Sequence, residues 1–440
     1  MKRIYALCSV LCALFATALP LQAGASRPRS IIQDTEVQSI VQELVEPLAR
    51  AAGMPAGRLR IHIVRDDNFN AFVMAGEDIY IYTGLIASVE SPLAFQAVIA
   101  HELGHMMGGH IAQLSARIRS ETVRSMIIQA LGVGMMVAGG NPSAGMGVVA
   151  GGQGVARAGI LAFSRDEERL ADNHAIDIMV GAGLDPNGLV MILQQMNDMH
   201  GAAESMTSQY RVAHPFTSER LQHARERIAQ METRRWPPTD KELQERFNLA
   251  RAKVVGYLAP LERIATIYPS RDTSNPAIYA RAIASMRAGN LADARLGALT
   301  LIGRAPANPF FYEFLGDIEY RFGNYDDSIR AYDKSLELRR DSPHIQTALA
   351  LVLSERRKPG DADRAVEMAK RSLIAYPSPL AYWVLARAEN IRGNKGVADW
   401  AMAEFYNMNR NAARAREFAR RARANLPKDS PEYIKAGELL

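Results

Sequence analysis

Apolar and polar residues over the first hundred positions follow two different periods. Between residues 34 and 52 the apolar positions lie three or four apart, which predicts an amphipathic helix. Residues 58–64 and 77–86 alternate at every second position, so both predict strands, the second antiparallel or at a sheet edge. Residues 92–106 are apolar at most positions, and Ser91 followed by proline is a typical helix start. The pattern predicts a helix, two strands and a buried helix, in that order.

The second half of the chain repeats a pattern of paired helices. Four times, a glycine followed by asparagine or aspartate separates two helical segments, at intervals of 34, 37 and 33 residues. The four dipeptides begin at Gly289, Gly323, Gly360 and Gly393. A period near 34 residues with a helix–turn–helix unit is typical of tetratricopeptide repeats. We therefore predict an α-solenoid of four units and a terminal cap over residues 275–440.

Composition and boundary signals complete the predicted organisation. The 440 residues are 48% hydrophobic and 22% charged, which is ordinary for a globular protein and excludes extensive disorder. The sequence RRWPPTD at 234–240 indicates a boundary. We predict a domain over 26–235, a helical linker over 236–274 and the repeat domain after it. The predicted fold class is mainly α, with an α+β domain that contains a small sheet, followed by the solenoid.

The first 25 residues have the pattern of a secretory signal peptide. Lys2 and Arg3 precede an apolar stretch, and Ala23 and Ala25 form an A-x-A cleavage pattern. A membrane anchor that stays in place is the alternative. Both cysteines of the chain lie in this segment, so the mature chain contains no thiol. Cleavage removes two basic residues and lowers the formal charge from +5 to +3, which does not indicate a nucleic-acid partner.

Two further segments each leave two interpretations open. Residues 126–163 are rich in Gly, Ala, Met and Val. They fit either a pair of buried helices with a flexible loop or a mobile lid that contacts membrane or unfolded substrate. Residues 410–427 contain six arginines and one glutamate. They fit either a solvated helix face or a contact for an acidic partner or an anionic membrane surface.

The strongest candidate chemistry lies in the sequence HELGH. His101 and His105 are four residues apart and so share a face of the predicted helix, with Glu102 beside them. Such a helix can bind zinc through both imidazoles while the glutamate reaches a water on the metal. The surrounding helix is very apolar, and buried imidazoles and carboxylates without partners are costly. A metal site is therefore favoured over incidental histidines.

A catalytic zinc needs a third protein ligand. The pattern HExxHxxGxxH is not met, because position 111 is isoleucine and His110 falls one residue early. A glutamate on a later helix is the other standard source. The segment at 164–172 fits this role, because it begins with capping-box spacing and places Glu168 and Asp172 four residues apart on one face.

The combined motifs resemble those of the HtpX/BepA type of gluzincin metallopeptidases. The motifs are SRxxExxAD at 164–172 after HELGH, NAF at 70–72, and TGL at 83–85 where a strand ends. The resemblance covers nearly the whole mature chain, since a signal peptide and C-terminal repeats also fit. It implies one zinc ion per chain, bound by His101, His105 and Glu168, with Glu102 as the general base. It also implies that Asp172 orients a ligand histidine.

Two candidate residues follow in the segment RVAHPFTSER. The resemblance implies that His214 can occupy a fourth zinc position and keep the protease latent; a loop-capping histidine is the alternative. Arg220 is expected either to contact substrate or to steady this segment. His110 and His174 are expected to be structural or exposed. The strand at 77–83 is where an extended substrate would add as an extra strand, unless that strand is paired within the sheet.

Two functions remain open from the sequence. In the first, the chain is a periplasmic zinc endopeptidase that degrades misfolded or misassembled exported proteins, mainly outer-membrane β-barrel proteins, and its repeats dock substrates or partners. In the second, it is a repeat-based chaperone or scaffold at an outer-membrane assembly complex, with a largely latent protease domain. The resemblance implies the β-barrel assembly machinery and the lipopolysaccharide transport pore as partners, with a peripheral membrane contact as a further option.

Overall fold

The structure is a computed structural model that describes residues 31–74, 77–110, 164–198, 210, 213–231 and 235–440. The predicted signal peptide and the Gly- and Met-rich segment at 126–163 lie outside these residues. Among the described helices, none has both the length and the apolar character needed to cross a membrane.

The described N-terminal part of the chain contains six helices and three strands. They are α1 (Thr35–Ala51), β1 (Arg60–Val64), β2 (Ala71–Met74), β3 (Asp78–Tyr82), α2 (Thr83–Ser88), α3 (Pro92–Met107), α4 (Arg165–Gly181), α5 (Asn187–Asp198) and α6 (Ser218–Ala229). The first predicted helix, both predicted strands and the buried helix all form. The second strand is shorter than predicted, because α2 begins at Thr83.

The three strands form one mixed sheet with the order β1-β3-β2. Strand β1 runs parallel to β3, and β2 runs antiparallel to it. The interpretation of residues 77–83 as an open edge that receives substrate is wrong, because β3 is hydrogen-bonded on both sides. The short β2, which the alternation of residues did not reveal, takes the outer position and lies against α3.

Helix α3 lies at the centre of the core of this part of the chain. Its sequence is apolar on nearly all faces because α1, α4 and α5 pack around it and β2 lies against it. Phe95, Ile99 and Leu103 are fully buried. Each such side chain contributes roughly 1.5–3 kcal/mol relative to exposure. Apolar packing therefore contributes strongly to the position of this helix.

The C-terminal part is a stack of helix pairs. After α7 (Lys241–Leu258) and α8 (Leu261–Ile267) come α9 (Asn275–Arg287), α10 (Leu291–Arg304), α11 (Pro309–Phe322), α12 (Tyr325–Leu338), α13 (Pro343–Arg356), α14 (Asp361–Ala375), α15 (Pro379–Ile391), α16 (Lys395–Met408), α17 (Ala412–Asn425) and α18 (Pro431–Glu438). Helix α7 packs against α9, and from α8 onwards consecutive helices pack against each other. The turn inside each of the first four pairs contains a glycine with φ between 79° and 84°, which other residues rarely adopt. The predicted mainly helical fold, with a small sheet followed by tetratricopeptide repeats, is confirmed.

A buried ionic cluster connects helices of both parts, which belong to one compact unit. We call Lys253, Asp34, Glu36 and Glu313 the junction cluster. Lys253 Nζ on α7 lies 2.8 Å from Asp34 Oδ2 and 3.3 Å from Glu36 Oε2, both at the start of α1. It also lies 3.1 Å from Glu313 Oε2 on α11, and its side chain is 5% exposed. One lysine thus ties the first helix, the linker helix and the second repeat together.

One lysine cannot neutralise three buried carboxylates. Burial raises the pKa of Glu36 to about 7 and that of Glu313 to about 8, against the opposing effect of Lys253. The pKa of Asp34 is lowered, because Lys253 and a hydrogen bond from the Val37 N–H outweigh the effect of burial. The lysine and the aspartate therefore form the charged pair, and protons on the two glutamates complete the neutralisation near neutral pH.

We expect Lys253→Met to lower the free energy of unfolding by about 3 kcal/mol or more, because it leaves buried carboxylates without their cation. The loss should be larger at about pH 8 than at about pH 6. Lys253 lowers the pKa values of Glu36 and Glu313 against the effect of burial, so both pKa values rise further in the variant. The variant therefore loses more stability than the parent as the pH rises and the two carboxyl groups must release their protons. Urea unfolding at both pH values measures the two effects.

Lys241→Met is the matched control, because Lys241 lies exposed at the start of the same helix. Its effect should stay within about 0.5 kcal/mol. A loss below about 1 kcal/mol for Lys253→Met, equal at both pH values, would contradict the neutralising role of this lysine.

Candidate metal centre

Helix α3 brings two histidines to one buried face. The helix start is fixed by Ser91, whose Oγ accepts a hydrogen bond from the Leu93 N–H at 3.2 Å, and by Pro92 at the first position. His101 and His105 follow one turn apart, and their Nε2 atoms lie 3.1 Å from each other. Both side chains are almost fully buried. Their ring nitrogens therefore face the protein interior rather than water.

Helix α4 supplies carboxylates from the opposite side. Ser164 and Glu167 form the predicted capping box: the Ser164 N–H donates to Glu167 Oε2 at 2.8 Å, and the Glu167 N–H donates to Ser164 Oγ at 3.2 Å. Glu168 and Asp172 follow, one turn apart and almost fully buried. The cap fixes the register of this helix, so both carboxylates reach the histidines of α3.

A glycine sets the distance between α3 and α4. A Cβ atom at Gly104 would lie 2.6 Å from the carbonyl oxygen of Ala171, closer than a real Cβ approaches any atom. Because glycine has no Cβ, the two helix backbones can approach each other at this point. The glycine of HELGH is therefore part of the site, although it contributes no functional group.

Four side chains converge into what we call the donor shell: His101, His105, Glu168 and His214. Each offers one ligand atom, and these atoms all lie within 4.8 Å of one another. His214 Nδ1 lies 3.3 Å from His101 Nε2 and 3.0 Å from Glu168 Oε1. Glu168 Oε1 also lies 3.3 Å from His105 Nε2. The structure thus brings the three predicted zinc ligands and the predicted fourth position into one place.

The spacing of the donor atoms fits a metal ion. In a tetrahedral zinc site the bonds to nitrogen and oxygen are about 2.0–2.1 Å, so neighbouring ligand atoms lie about 3.3 Å apart. Among the donor atoms, the separations run from 3.0 Å for His214 Nδ1 and Glu168 Oε1 to 3.3 Å for His214 Nδ1 and His101 Nε2, and all of the donor atoms lie within 4.8 Å of one another. Imidazole nitrogens and a carboxylate oxygen are ligands that zinc accepts. The donor shell therefore fits one metal ion with four protein ligands.

The electrostatics of the donor shell favour a positive charge. Burial alone would lower the pKa of His101, but contacts with Asp172 and Glu168 raise this pKa to about 10. Burial raises the pKa of Glu168, but His214, Arg220 and the ligand imidazoles outweigh it and hold that pKa well below its ordinary value. A charged carboxylate thus lies in the shell, in a pocket that stabilises a cation.

A second layer of polar side chains holds the ligands in place. Asp172 Oδ1 lies 2.9 Å from His101 Nδ1. Arg220 binds Asp172 through Nε and Nη2, at 2.7 and 2.8 Å, and its Nη1 lies 2.5 Å from Glu168 Oε2. The same Nη1 donates to the Pro215 carbonyl at 3.0 Å. At 7% exposure, Arg220 joins both acidic residues to the loop that contains this proline.

Glu102 is buried next to the donor shell. Its Oε1 lies 3.6 Å from His214 Nε2, and burial raises its pKa. A raised pKa makes a carboxylate a better proton acceptor near neutral pH. His174 on α4 is half-buried and contributes no atom to the donor shell.

Besides Gly104, two side chains of the site were not identified from the sequence as part of it. Tyr210 Oη donates to Glu102 Oε1 at 3.1 Å. His110 Nδ1 lies 3.0 Å from His105 Nδ1, so the histidine expected to be structural or exposed is buried against a ligand. The sequence signal for His110 was the pair of glycines that precedes it, because Gly109 has a φ of 68° and turns the chain at this point. No sequence signal marked the tyrosine.

Comparisons with known proteins show which families and relatives the chain is similar to. Residues 33–228 match the family described as peptidase family M48. The chain is 24% identical over 393 residues to the beta-barrel assembly-enhancing protease of Yersinia pestis, covering 87% of this chain and 78% of that protein. It is 24% identical over 386 residues to the protein of the same name in Escherichia coli (strain K12), covering 86% and 76%. It is also 30% identical over 162 residues to metalloprotease YcaL of the same strain, covering 36% and 58%. The matches confirm the resemblance inferred from the motifs.

We expect Gly104→Ala to weaken metal binding roughly tenfold or more, because the added methyl group pushes α4 and its Glu168 away from the histidines. The same overpacking should lower the free energy of unfolding by about 1–3 kcal/mol. Competition with a chromogenic zinc chelator measures the first effect, and urea unfolding measures the second.

Gly303→Ala is the control for the change of residue type. Gly303 lies in α10, and a Cβ atom there would meet nothing within 4 Å. Because alanine is the better helix former, this variant should be as stable as the parent or slightly more stable. Unchanged zinc affinity and stability in Gly104→Ala would contradict the close-packing account of the site.

We expect Arg220→Lys to weaken zinc binding by about 10–100-fold, because lysine cannot hold Asp172 through two parallel bonds and also reach Glu168. The matched control is Arg227→Lys on the same helix, where the arginine pairs with the exposed Asp177 at 2.7 Å. The control should bind zinc like the parent. Equal affinities in all three proteins would show that Arg220 does not position the ligands.

Proposed function

We propose that the chain is a zinc-dependent endopeptidase of the periplasm that degrades misfolded or misassembled exported proteins, since residues 33–228 match peptidase family M48. The observation that carries this proposal is the buried donor shell beside Glu102. Neither apolar packing nor a scaffold function requires three histidines and a carboxylate within contact of each other in the core. Outer-membrane β-barrel proteins are the proposed substrates.

His101, His105 and Glu168 would hold the zinc ion. Zinc in such a site supplies Lewis-acid polarisation of the peptide carbonyl and lowers the pKa of a bound water to about 7. Asp172 contacts Nδ1 of His101 and so fixes the orientation of the imidazole ring, which leaves Nε2 of His101 directed into the donor shell. Arg220 keeps Asp172 charged and in place.

Glu102 is the proposed general base. Its carboxylate accepts the proton of the attacking water and then returns that proton to the nitrogen of the leaving amine. Burial favours this role, because it raises the pKa of Glu102 towards the working pH. The surrounding apolar side chains of α3 exclude bulk water from the proton on this carboxylate.

The outer strand β2 is the proposed docking strand for substrate. In the described part of the sheet it pairs with β3 on one side, and it lies against α3, which carries the donor shell. An extended peptide can add to such an edge through main-chain hydrogen bonds, which suits substrates of varied sequence. A peptide on this edge would lie beside α3.

His214 is the proposed latency residue. It already supplies the fourth donor atom of a tetrahedral shell, 3.0 Å from Glu168 Oε1 and 3.3 Å from His101 Nε2. A catalytic zinc keeps an open position for water or substrate, whereas a structural zinc has four protein ligands. The enzyme is therefore inactive in this conformation, and His214 must leave the donor shell before a peptide can be cut.

The proposed closure of the metal site by His214 supports a second candidate function. With the shell complete, the repeats could act at an outer-membrane assembly site as a chaperone or scaffold while the protease stays closed. Relatives named beta-barrel assembly-enhancing protease support that context. The proposed partners are the β-barrel assembly machinery and the lipopolysaccharide transport pore, and the proposed location is the periplasm after removal of residues 1–25.

Digestion of an unfolded β-barrel precursor by the purified mature chain tests the proposal, with bound zinc measured in every sample. We expect His214→Ala to cut at least tenfold faster than the parent, because it opens the fourth position. Glu102→Gln should keep zinc and lose activity by a factor of about 10² or more, because the amide cannot accept a proton.

The Glu102→Gln/His214→Ala double variant is the control for contaminating proteases, since it should retain zinc and stay inactive. If no variant cuts while zinc is bound in each, the endopeptidase proposal fails and the scaffold function gains. If the parent cuts as fast as His214→Ala, the chain is a protease without the proposed latency.

A further inference from the structure

Tyr210 contacts the two residues on which activity and latency depend. Its hydroxyl donates to Glu102 Oε1 at 3.1 Å. Its ring stacks on the imidazole of His214, with 4.4 Å between the ring centroids and 28° between the planes. It is 4% exposed, and Phe69 packs edge-on against it at 5.2 Å. The phenol is therefore held in one orientation.

Tyr210 and His214 are also joined through the backbone. The His214 N–H donates to the Tyr210 carbonyl at 2.7 Å, which joins the two residues directly. Both residues reach Glu102, through the tyrosine hydroxyl and through His214 Nε2 at 3.6 Å. Because the two residues are joined, a displacement that withdraws the imidazole from the donor shell withdraws the phenol from the carboxylate as well.

We propose that Tyr210 is a positioning residue that holds His214 in the donor shell and occupies the proton-accepting oxygen of Glu102 at the same time. One displacement of both residues then opens the fourth donor position and frees the base together. The proposal rests on the function proposed above and adds a regulatory role for Tyr210. The phenol stabilises the closed state and has no part in the chemical step.

The arrangement has a thermodynamic consequence. A hydrogen bond to a charged group is among the stronger ones in proteins. If the Tyr210–Glu102 hydrogen bond exists only in the closed state, its loss increases the fraction of open molecules by about tenfold or more. A ligand that binds the metal only in the open state gains apparent affinity by the same factor.

The test uses the full mature chain loaded with cobalt(II) and titrated with acetohydroxamate, whose binding at the metal changes the visible spectrum. We expect Tyr210→Phe to bind acetohydroxamate about tenfold more tightly than the parent. The substitution keeps the ring that stacks on His214 and removes only the hydroxyl. Cleavage of an unfolded β-barrel precursor by the zinc-loaded variant should rise by a similar factor.

Tyr332→Phe is the matched control, because its buried hydroxyl donates to Asp317 Oδ1 at 2.6 Å in the repeats. Tyr332→Phe should lose about as much stability as Tyr210→Phe, because each variant loses one hydrogen bond to a carboxylate. It should leave the affinity for acetohydroxamate unchanged. Unchanged affinity in Tyr210→Phe would overturn the proposal. Slower cleavage by Tyr210→Phe/His214→Ala than by His214→Ala, at equal zinc content, would overturn it too, because the phenol would then act in catalysis. The cobalt titration decides the matter even if no variant cuts, a result that would count against the proposed function alone.

Discussion

The close approach of α3 and α4 is the constraint on which the rest of the site depends. Two histidines on one helix cannot enclose a metal ion by themselves, and Glu168 reaches them only because Gly104 lets the backbones meet at Ala171. Three features depend on that approach: the donor shell, the contact of Asp172 with His101, and the ion pairs of Arg220 with both acidic residues. The absence of a Cβ atom at Gly104 therefore sets how closely Glu168 approaches the two histidines.

The donor shell and the junction cluster both contain buried charges, and these charges are neutralised in different ways. At the donor shell, Arg220 and the imidazoles offset the carboxylates, and a bound cation would complete the balance. At the junction cluster, Lys253 neutralises one carboxylate and protons neutralise the others. Such pairs add little stability over apolar packing, but breaking one leaves an unpaired buried charge. Each cluster thus fixes one arrangement of the elements that contribute to it.

The sequence predicted the parts of the site that depend on local spacing. Helical spacing placed His101 and His105 on one face and Glu168 and Asp172 on another, and the resemblance to the gluzincin metallopeptidases implied their roles. The repeats follow from their own period. The rest depends on contacts between distant segments. Tyr210 reaches Glu102 across more than a hundred residues, and β2 separates β3 from the sheet edge although only four residues long. No local pattern encodes such pairings, so the substrate strand was assigned to the wrong segment.

X-ray absorption at the zinc edge of the purified mature chain tests the central claim most directly, because it reports the atoms around the metal in solution. A four-ligand shell with three imidazole nitrogens and one carboxylate oxygen at about 2.0–2.1 Å, changing to two imidazoles in His214→Ala, is the predicted result. Two imidazoles in both proteins, or a chain that retains no zinc after dialysis, would contradict the claim that these four residues form one latent metal centre.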